Sequence, residues 1–255
     1  MRINIRTSKE LELLQQAGHI VALCHAALKE TIQPGISGLA LDAMVEEIIC
    51  SHAAEPVFKG YHGFPNATCI SVNESVVHGI PTSRLLKEGD IISVDIGVRY
   101  KGYIGDSAWT YPVGKVSDEN KFLLTHTEQA LWEGLKVIKA GVHLSNVSNA
   151  IGKYATRHNL NIVKELGGHG VGTKLHEPPT IPNYGHPNEG PLLKSGMVLA
   201  VEPILNLGHA AVKTLRDGWT VVTRDGKTSA HFEHTVAVGE TECTVLTTLH
   251  PSLSV

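Results

Sequence analysis

Apolar side chains recur at helical spacing in four stretches of the chain. In the first, Thr7 and Glu10 have the spacing of a capping box, and Pro34-Gly35 ends the helix that follows. We expect its buried stripe to comprise Leu14, Ala17, Val21, Cys24 and Leu28.

A second helix is predicted to begin near Ser37, and residues 118–139 and 145–158 return to helical spacing. The first two helices should cover a sheet, with Cys24 and Cys50 as small core residues. The stripe of the second helix comprises Leu41, Val45 and Ile48.

Shorter β-rich runs lie between the helices and include TCISVN, VVHGIP, MVLAVEPIL, GWTVVTRD, SAHFEHTVAVG and CTVLTT. The longest β-rich stretch, Asp90 to Tyr111, predicts an antiparallel hairpin with a turn at RYKG. If that turn centres on Tyr100 and Lys101, Asp95 and Asp106 lie opposite each other and point to one side.

Two opposed carboxylates among apolar strands repel each other and are costly to bury, so a metal ion between them is one interpretation. The alternative is a solvated hairpin face that carries incidental acids.

The chain also resembles itself. LLKEGDIISVD (85–95) aligns with LLKSGMVLAVE (192–202) at an offset of 107, and IQPGISGLALDAMVEEI aligns with IKAGVHLSNVSNAIGKY at an offset of 106. This indicates duplicated α/β halves, about 8–115 and 116–250, within one domain, 1–255. A two-fold relation would make Asp95 equivalent to Glu202 and Asp106 equivalent to Glu233, so four carboxylates would converge.

Several histidines are candidates for the same region. His169 lies among glycines in GGHGVG, which can present an imidazole from a tight turn, although a surface turn is equally typical. His78 in VVHGIP and His176 in LHEPP stand beside prolines, where a single histidine is more often structural. His231 shares a strand face with Glu233, and His234 takes the other face as a core or supporting residue. Taken singly, Cys69 and Trp219 are typical packing residues.

Composition narrows the function classes. The 255 residues are 42% hydrophobic, which is enough for a sizeable core, and a net charge of -3 without a basic run does not favour nucleic acid. No stretch approaches a membrane helix, and the start lacks a secretory signal. Four cysteines without CxxC spacing favour reduced thiols in the cytoplasm and disfavour a thiolate zinc site.

Together, HGIP, SVDIG with GDS, GGHGVG, LHEPP, AVEP and FEHT resemble the methionine aminopeptidase family over nearly the whole chain. The resemblance implies a single catalytic domain with the α/β pita-bread fold of the creatinase-like enzymes, in which duplicated halves form a central antiparallel sheet covered by helices. It implies a cytoplasmic enzyme, and a monomer is expected because nothing in the sequence requires a second subunit.

The resemblance also implies the site. The five metal ligands would be Asp95, Asp106, His169, Glu202 and Glu233, holding two divalent ions (cobalt, manganese, iron(II) or zinc). His78 and His176 would contact substrate, and the methionine pocket would be lined by Tyr61, Phe64, Cys69 and Trp219. Leu175 and His231 depart from the phenylalanine and glutamine common in the family, which bears on the pocket shape and on the surroundings of the ligands.

The implied reaction removes the N-terminal methionine of nascent polypeptides, with a preference for a small second residue. A metal-bridging water would attack, Glu202 would carry the proton, and His78 and His176 would stabilise the developing charge. A transient ribosome contact is compatible with this role, whereas a membrane or a specific nucleic acid is not expected.

Alternatives remain at this point. Only 25 residues separate His176 from Glu202, too few for the insertion of type II enzymes, so the short bacterial type I form is expected. An Xaa-Pro peptidase shares the ligands but usually carries an extra N-terminal domain. A metal-free binding protein would not need all five ligands.

Overall fold

The computed structural model of the protein describes residues 3–249. Four α-helices lie within this range: α1 (Ser8–Thr31), α2 (Gly38–Ser51), α3 (Asp118–Leu135) and α4 (Leu144–Arg157). The predicted capping box of Thr7 and Glu10 is present at the start of α1, and Ser37 caps α2. All five residues of the predicted α1 stripe are buried.

The stripe of α2 differs from the prediction at its end. Leu41 and Val45 are fully buried, but Ile49 rather than Ile48 completes the buried face. Cys50, the next residue, is exposed, so its assignment to the core is wrong. The reason is geometric, because successive residues on a helix point about 100° apart and Cys50 falls past the edge of the buried face.

Fifteen strands connect and flank these helices in the described range. In chain order they are β1 (Glu55–Pro56), β2 (Thr68–Val72), β3 (Ser75–Val77), β4 (Ile91–Tyr100), β5 (Tyr103–Pro112), β6 (Asn161–Ile162), β7 (Gly167–Gly170), β8 (Glu177–Pro182), β9 (Val198–Val201), β10 (Ile204–Asn206), β11 (Val212–Thr214), β12 (Val221–Thr223), β13 (Ser229–His231), β14 (His234–Val238) and β15 (Cys243–Val245). A short 3₁₀ turn, Tyr61–Gly63, precedes β2.

Two antiparallel sheets form the centre of the molecule. In the first, β4 pairs with β1, β2 and β5; in the second, the strand order is β15-β14-β9-β7-β8. Two smaller sheets have the orders β13-β10-β6 and β11-β12-β3. One apolar core lies between α1, α2 and the first sheet, and another between α3, α4 and the second sheet. The helices therefore cover a predominantly antiparallel centre, as predicted.

The β4–β5 hairpin has a different register from the predicted one. Its turn residues are Lys101 and Gly102, both at positive φ (47° and 86°), which suits the twist of a two-residue hairpin. Asp106 consequently pairs with Gly97, and Asp95 pairs with Ala108. The predicted direct pairing of the two acids is wrong, yet a shift of two residues leaves both carboxylates on the same face of the sheet.

Hydrogen bonds recur at the offsets of the internal repeat. The Gly35 amide donates to the Leu86 carbonyl oxygen at 2.8 Å, and 106 residues later the Gly141 amide donates to Leu193 at 2.9 Å. The bridge between Ser37 and Leu85 likewise recurs between His143 and Leu192. These repeated bonds agree with two halves of similar local structure, while the proposed boundaries of the halves stay a prediction. Among the described residues, no helix combines the length and apolar character needed to cross a membrane.

Candidate metal centre

Two acids of the site, Glu202 and Glu233, lie where strands of the second half are interrupted, whereas Asp95 and Asp106 lie within β4 and β5. Glu202 and Pro203 separate β9 from β10, and Phe232 and Glu233 separate β13 from β14. Proline has no amide hydrogen to continue a ladder, so the chain turns out of the sheet at Glu202. The Asn183 side-chain amide donates to the Glu202 carbonyl oxygen at 2.8 Å and supports this bend.

One cleft of about 340 Å³ collects every site residue expected from the sequence. Its lining includes the five candidate ligands, the two other candidate histidines and the four candidate pocket residues: Asp95, Asp106, His169, Glu202, Glu233, His78, His176, Tyr61, Phe64, Cys69 and Trp219. The structure thus brings together residues from both halves of the chain.

Distances within the cleft are those of a compact cluster. Donor atoms of Asp106, His169 and Glu233 all lie within 4.8 Å of one another. His169 Nε2 lies 3.6 Å from Glu202 Oε1 and 3.7 Å from Asp106 Oδ2.

The burial of these carboxylates and their missing hydrogen bonds indicate which kind of ligand the cluster could hold. Asp106 and Glu233 are only 3% and 2% exposed. Among the described residues, Asp95 Oδ1, Asp106 Oδ1 and Glu233 Oε1 are buried without a hydrogen-bond partner. Orphaned carboxylate oxygens are costly unless a cation neutralises them. Oxygen donors with an imidazole are also a donor set that divalent metals accept, so the residues present fit a metal ion.

The pKa values of these carboxyl groups are displaced in the same sense. Burial raises the pKa of Asp95 to about 7. Burial, and next the facing carboxylates, raise the pKa values of Asp106 and Glu233 well above their usual range. Without a cation, the ionised forms of these three carboxyl groups are therefore disfavoured, and a bound metal would stabilise them.

Glu202 behaves differently. Burial alone would raise its pKa, but the facing imidazole of His231, and after it that of His169, holds the pKa below its usual value. Its Oε2 lies 3.5 Å from His231 Nε2, which is long for a hydrogen bond. Glu202 is the acid of this cluster that stays ionised most readily.

The two other candidate histidines border the ligands. His78 directly follows β3 at a positive φ of 56°, and burial lowers its pKa. Burial, and next the neighbouring His169, lower the pKa of His176 to about 4. The Tyr61 hydroxyl lies 2.8 Å from His176 Nδ1. Both imidazoles are therefore neutral at neutral pH, and each retains one N–H to donate.

An apolar pocket adjoins this polar cluster. Phe64 and Cys69 are 3% and 5% exposed, and Trp219 packs edge-on against Phe64 with ring centroids 5.1 Å apart. Phe58 and Leu175 also line the cleft, and sequence reasoning did not assign Phe58 to it. Nothing local in the sequence marks Phe58, because it faces the cleft only once Gly97 of β4 leaves room for its ring.

Glu177, which follows His176, is another residue that sequence reasoning missed. One carboxylate oxygen accepts hydrogen bonds from the Asn4 and Arg6 side chains, and the other accepts from the amides of Thr173 and Lys174. Arg6 and Glu177 form a buried ion pair. This network fixes the loop that carries His176, and its only signal in the sequence is an acid beside a histidine and two prolines.

The comparisons with known proteins agree with this geometry. Residues 12–240 match the model of metallopeptidase family M24. A methionine aminopeptidase 1 from Bacillus subtilis is 56% identical over 95% of this chain and 98% of its own length. The crystal structure of a methionine aminopeptidase from Thermotoga maritima superposes with a TM-score of 0.96 at 43% identity, over 97% of this chain and 100% of that one.

A more distant neighbour shares the fold alone. A prolidase from Pyrococcus furiosus has a TM-score of 0.78 at 22% identity, over 96% of this chain and 66% of its own. The creatinase-type pita-bread architecture expected from the sequence is confirmed by these likenesses.

Proposed function

The chain belongs to metallopeptidase family M24, and we propose that it is a methionine aminopeptidase of the short bacterial type I. It would remove the N-terminal methionine from nascent polypeptides. The observation that carries this proposal is the convergence of Asp95, Asp106 and Glu233, each with an orphaned oxygen, beside His169 and Glu202 and next to an apolar pocket.

The proposed ligands of two divalent ions are Asp95, Asp106, His169, Glu202 and Glu233. A carboxylate-rich set with one imidazole suits manganese, iron(II) or cobalt and admits zinc. Such ions, when bound, supply a water of lowered pKa and polarise the scissile carbonyl.

The remaining chemistry belongs to the protein. Glu202 is half-buried at the edge of the cluster and its pKa is lowered, so its carboxylate can take a proton from the attacking water and return it to the leaving amine. His78 and His176 can donate N–H groups to the negative charge that develops on the carbonyl oxygen. The contact between Tyr61 and His176 Nδ1 supports this role, because a hydroxyl donated to Nδ1 leaves the hydrogen on Nε2.

The pocket formed by Phe58, Phe64, Cys69, Leu175 and Trp219 suits a methionine side chain. Sulfur–aromatic contacts contribute about 0.3–1.5 kcal/mol, and a thioether can follow an irregular apolar wall. The preference for a small second residue stays a prediction, as does a transient ribosome contact.

We also propose a monomer that works in the cytoplasm. All four cysteines are free thiols, in agreement with a reducing compartment. Every candidate site residue comes from one chain, so the proposed site needs no residue from a second subunit.

The proposal is tested with the peptides Met-Ala-Ser, Met-Leu-Ser and a Xaa-Pro tripeptide. Chelated protein should release no methionine, and added manganese or cobalt should restore release from Met-Ala-Ser ahead of Met-Leu-Ser. Cleavage of the Xaa-Pro peptide alone would favour the peptidase alternative. No cleavage with any metal would favour a binding protein that retains the fold.

A further inference from the structure

His231 is a second buried imidazole in the cluster. It is 2% exposed, and its Nε2 is buried without a hydrogen-bond partner. That atom lies 3.5 Å from Glu202 Oε2 and 3.7 Å from Glu233 Oε2. An unpartnered ring nitrogen of this kind is costly to bury unless something else in the site binds it.

The two distances exclude a direct hydrogen bond and are compatible with a shared metal ion. N–H···O hydrogen bonds span about 2.7–3.2 Å, so both separations are too long. Two ligand atoms at about 2.1 Å from one ion, at a tetrahedral angle, lie about 3.4 Å apart. The candidate ligand His169 provides an internal comparison, because its Nε2 lies 3.6 and 3.7 Å from the Glu202 and Asp106 carboxylates.

Hydrogen bonds hold both main-chain groups of His231. Its amide donates to the Thr110 hydroxyl at 2.9 Å, and that hydroxyl donates to the His231 carbonyl oxygen at 2.8 Å. His231 also pairs with Ile204 at the junction of β13 and β10. A fixed main chain limits where the imidazole can lie, which suits a site with demanding geometry.

We infer that His231 is a sixth protein ligand of the metal centre, which gives it two imidazoles rather than one. This inference rests on the metal centre proposed above and deepens it. Imidazole suits zinc and iron, whereas carboxylates suit manganese, so His231 shifts the preference of the centre towards zinc or iron(II).

The test compares zinc and manganese affinities of the metal-free chain, measured by competition with a chelating dye. Loss of a supporting residue outside the ligand set typically costs 10–100-fold in affinity, so we expect His231→Gln to lower zinc affinity by about 100-fold or more. Manganese affinity should fall by less than about 10-fold, since manganese depends mainly on the carboxylates. Equal losses for the two metals, or no loss, would overturn the inference.

His234→Gln is the matched control. His234 is a buried neighbour, but its Nδ1 lies 2.8 Å from the Thr247 hydroxyl and its ring packs against Trp109 and Trp132. Removing this imidazole should leave the ratio of zinc to manganese affinity unchanged. A ratio that shifts as much as in His231→Gln would mean that the effect comes from the fold, and it would overturn the inference.

X-ray absorption at the zinc edge gives a second measurement on the unaltered chain and does not depend on a variant that folds. With both metal positions filled by zinc, we expect one imidazole per ion on average, whereas half an imidazole per ion would refute the role of His231 alone. A chain that takes up no divalent ion at all would instead refute the proposed function. If the metal-loaded chain released methionine although His231 is not a ligand, the inference about His231 would fail while the proposed function would stand.

Discussion

The Thr235 hydroxyl bonds both main-chain groups of Asp106. It donates to the Asp106 carbonyl oxygen at 2.7 Å and accepts from the Asp106 amide at 3.0 Å. The two residues lie 129 positions apart, on β14 and β5, and both are buried. In the reverse direction, the Ser107 hydroxyl donates to the Glu233 carbonyl oxygen at 2.6 Å. Hydroxyl groups from each half thus hold the acid of the other half in place.

Thr235→Val keeps the shape of the side chain and removes both bonds. We expect the free energy of unfolding to fall by about 1–3 kcal/mol, because two buried main-chain groups lose their partner. Metal affinity should fall about 10-fold as Asp106 loosens. Thr223→Val, which removes a buried hydroxyl that donates to Lys227 at 2.8 Å, is the control. Urea unfolding and metal titration of both variants check the prediction, and an equal change of metal affinity in the control would contradict it.

Glu202→Gln should separate folding from turnover. The amide nearly matches the carboxylate in size but cannot carry the proton, so kcat should fall by about 100- to 10,000-fold. The thermal unfolding midpoint of the metal-free protein should change little. Steady-state kinetics with Met-Ala-Ser and a thermal melt are sufficient, and near-normal turnover would remove Glu202 from the role of proton carrier.

The ion pair of Arg6 and Glu177 should act on catalysis through His176. The Arg6 guanidinium also packs directly against Gly172, where a side chain would leave it no room. We expect Arg6→Met to lower kcat about 10-fold with little change in KM, and Arg6→Lys to recover part of the loss. In a His176→Ala background, Arg6→Met should have no further effect. Additive losses in this double-mutant cycle would mean that the pair serves stability only.

His25 should make stability depend on pH. Its Nε2 donates to the Ser107 carbonyl oxygen at 3.0 Å, and burial lowers its pKa from 6.5 to about 4. The unfolded chain therefore binds a proton below about pH 6.5 that the folded chain refuses, so the free energy of unfolding falls as the pH drops from 6.5 to 4.

A shift of this size corresponds to about 3 kcal/mol. His25→Gln should flatten the pH dependence by roughly that amount over this interval, as measured by urea unfolding at several pH values. Parallel curves for the variant and the unaltered chain would show that His25 does not set the slope.

Local features of the fold could be predicted because their causes are local. Thr7 and Glu10 predict the start of α1 since a capping box involves only neighbouring residues. The register of β4 and β5 could not be predicted from the sequence. It depends on a positive φ at Lys101, and lysine is not a residue that favours this conformation. Cys50 was misplaced because a single step along α2 separates the core from solvent.

The convergence of the candidate site could be predicted from the internal repeat rather than from local spacing. The internal repeat predicted that Asp95, Asp106, Glu202 and Glu233 would converge, and the structure places all four in one cleft. The supporting contacts of Thr235 and Glu177 were not predicted. Their partners lie more than 120 residues away and leave no spacing or motif in the sequence.

Anomalous diffraction from a crystal of the manganese-loaded protein tests the metal centre most directly. We predict a strong peak between the carboxylates of Asp106 and Glu233, within ligand distance of His169 or Asp95, and none in a crystal of the chelated protein. A peak elsewhere in an active enzyme, or an active enzyme without any peak, would contradict the assignment of these acids as the ligands.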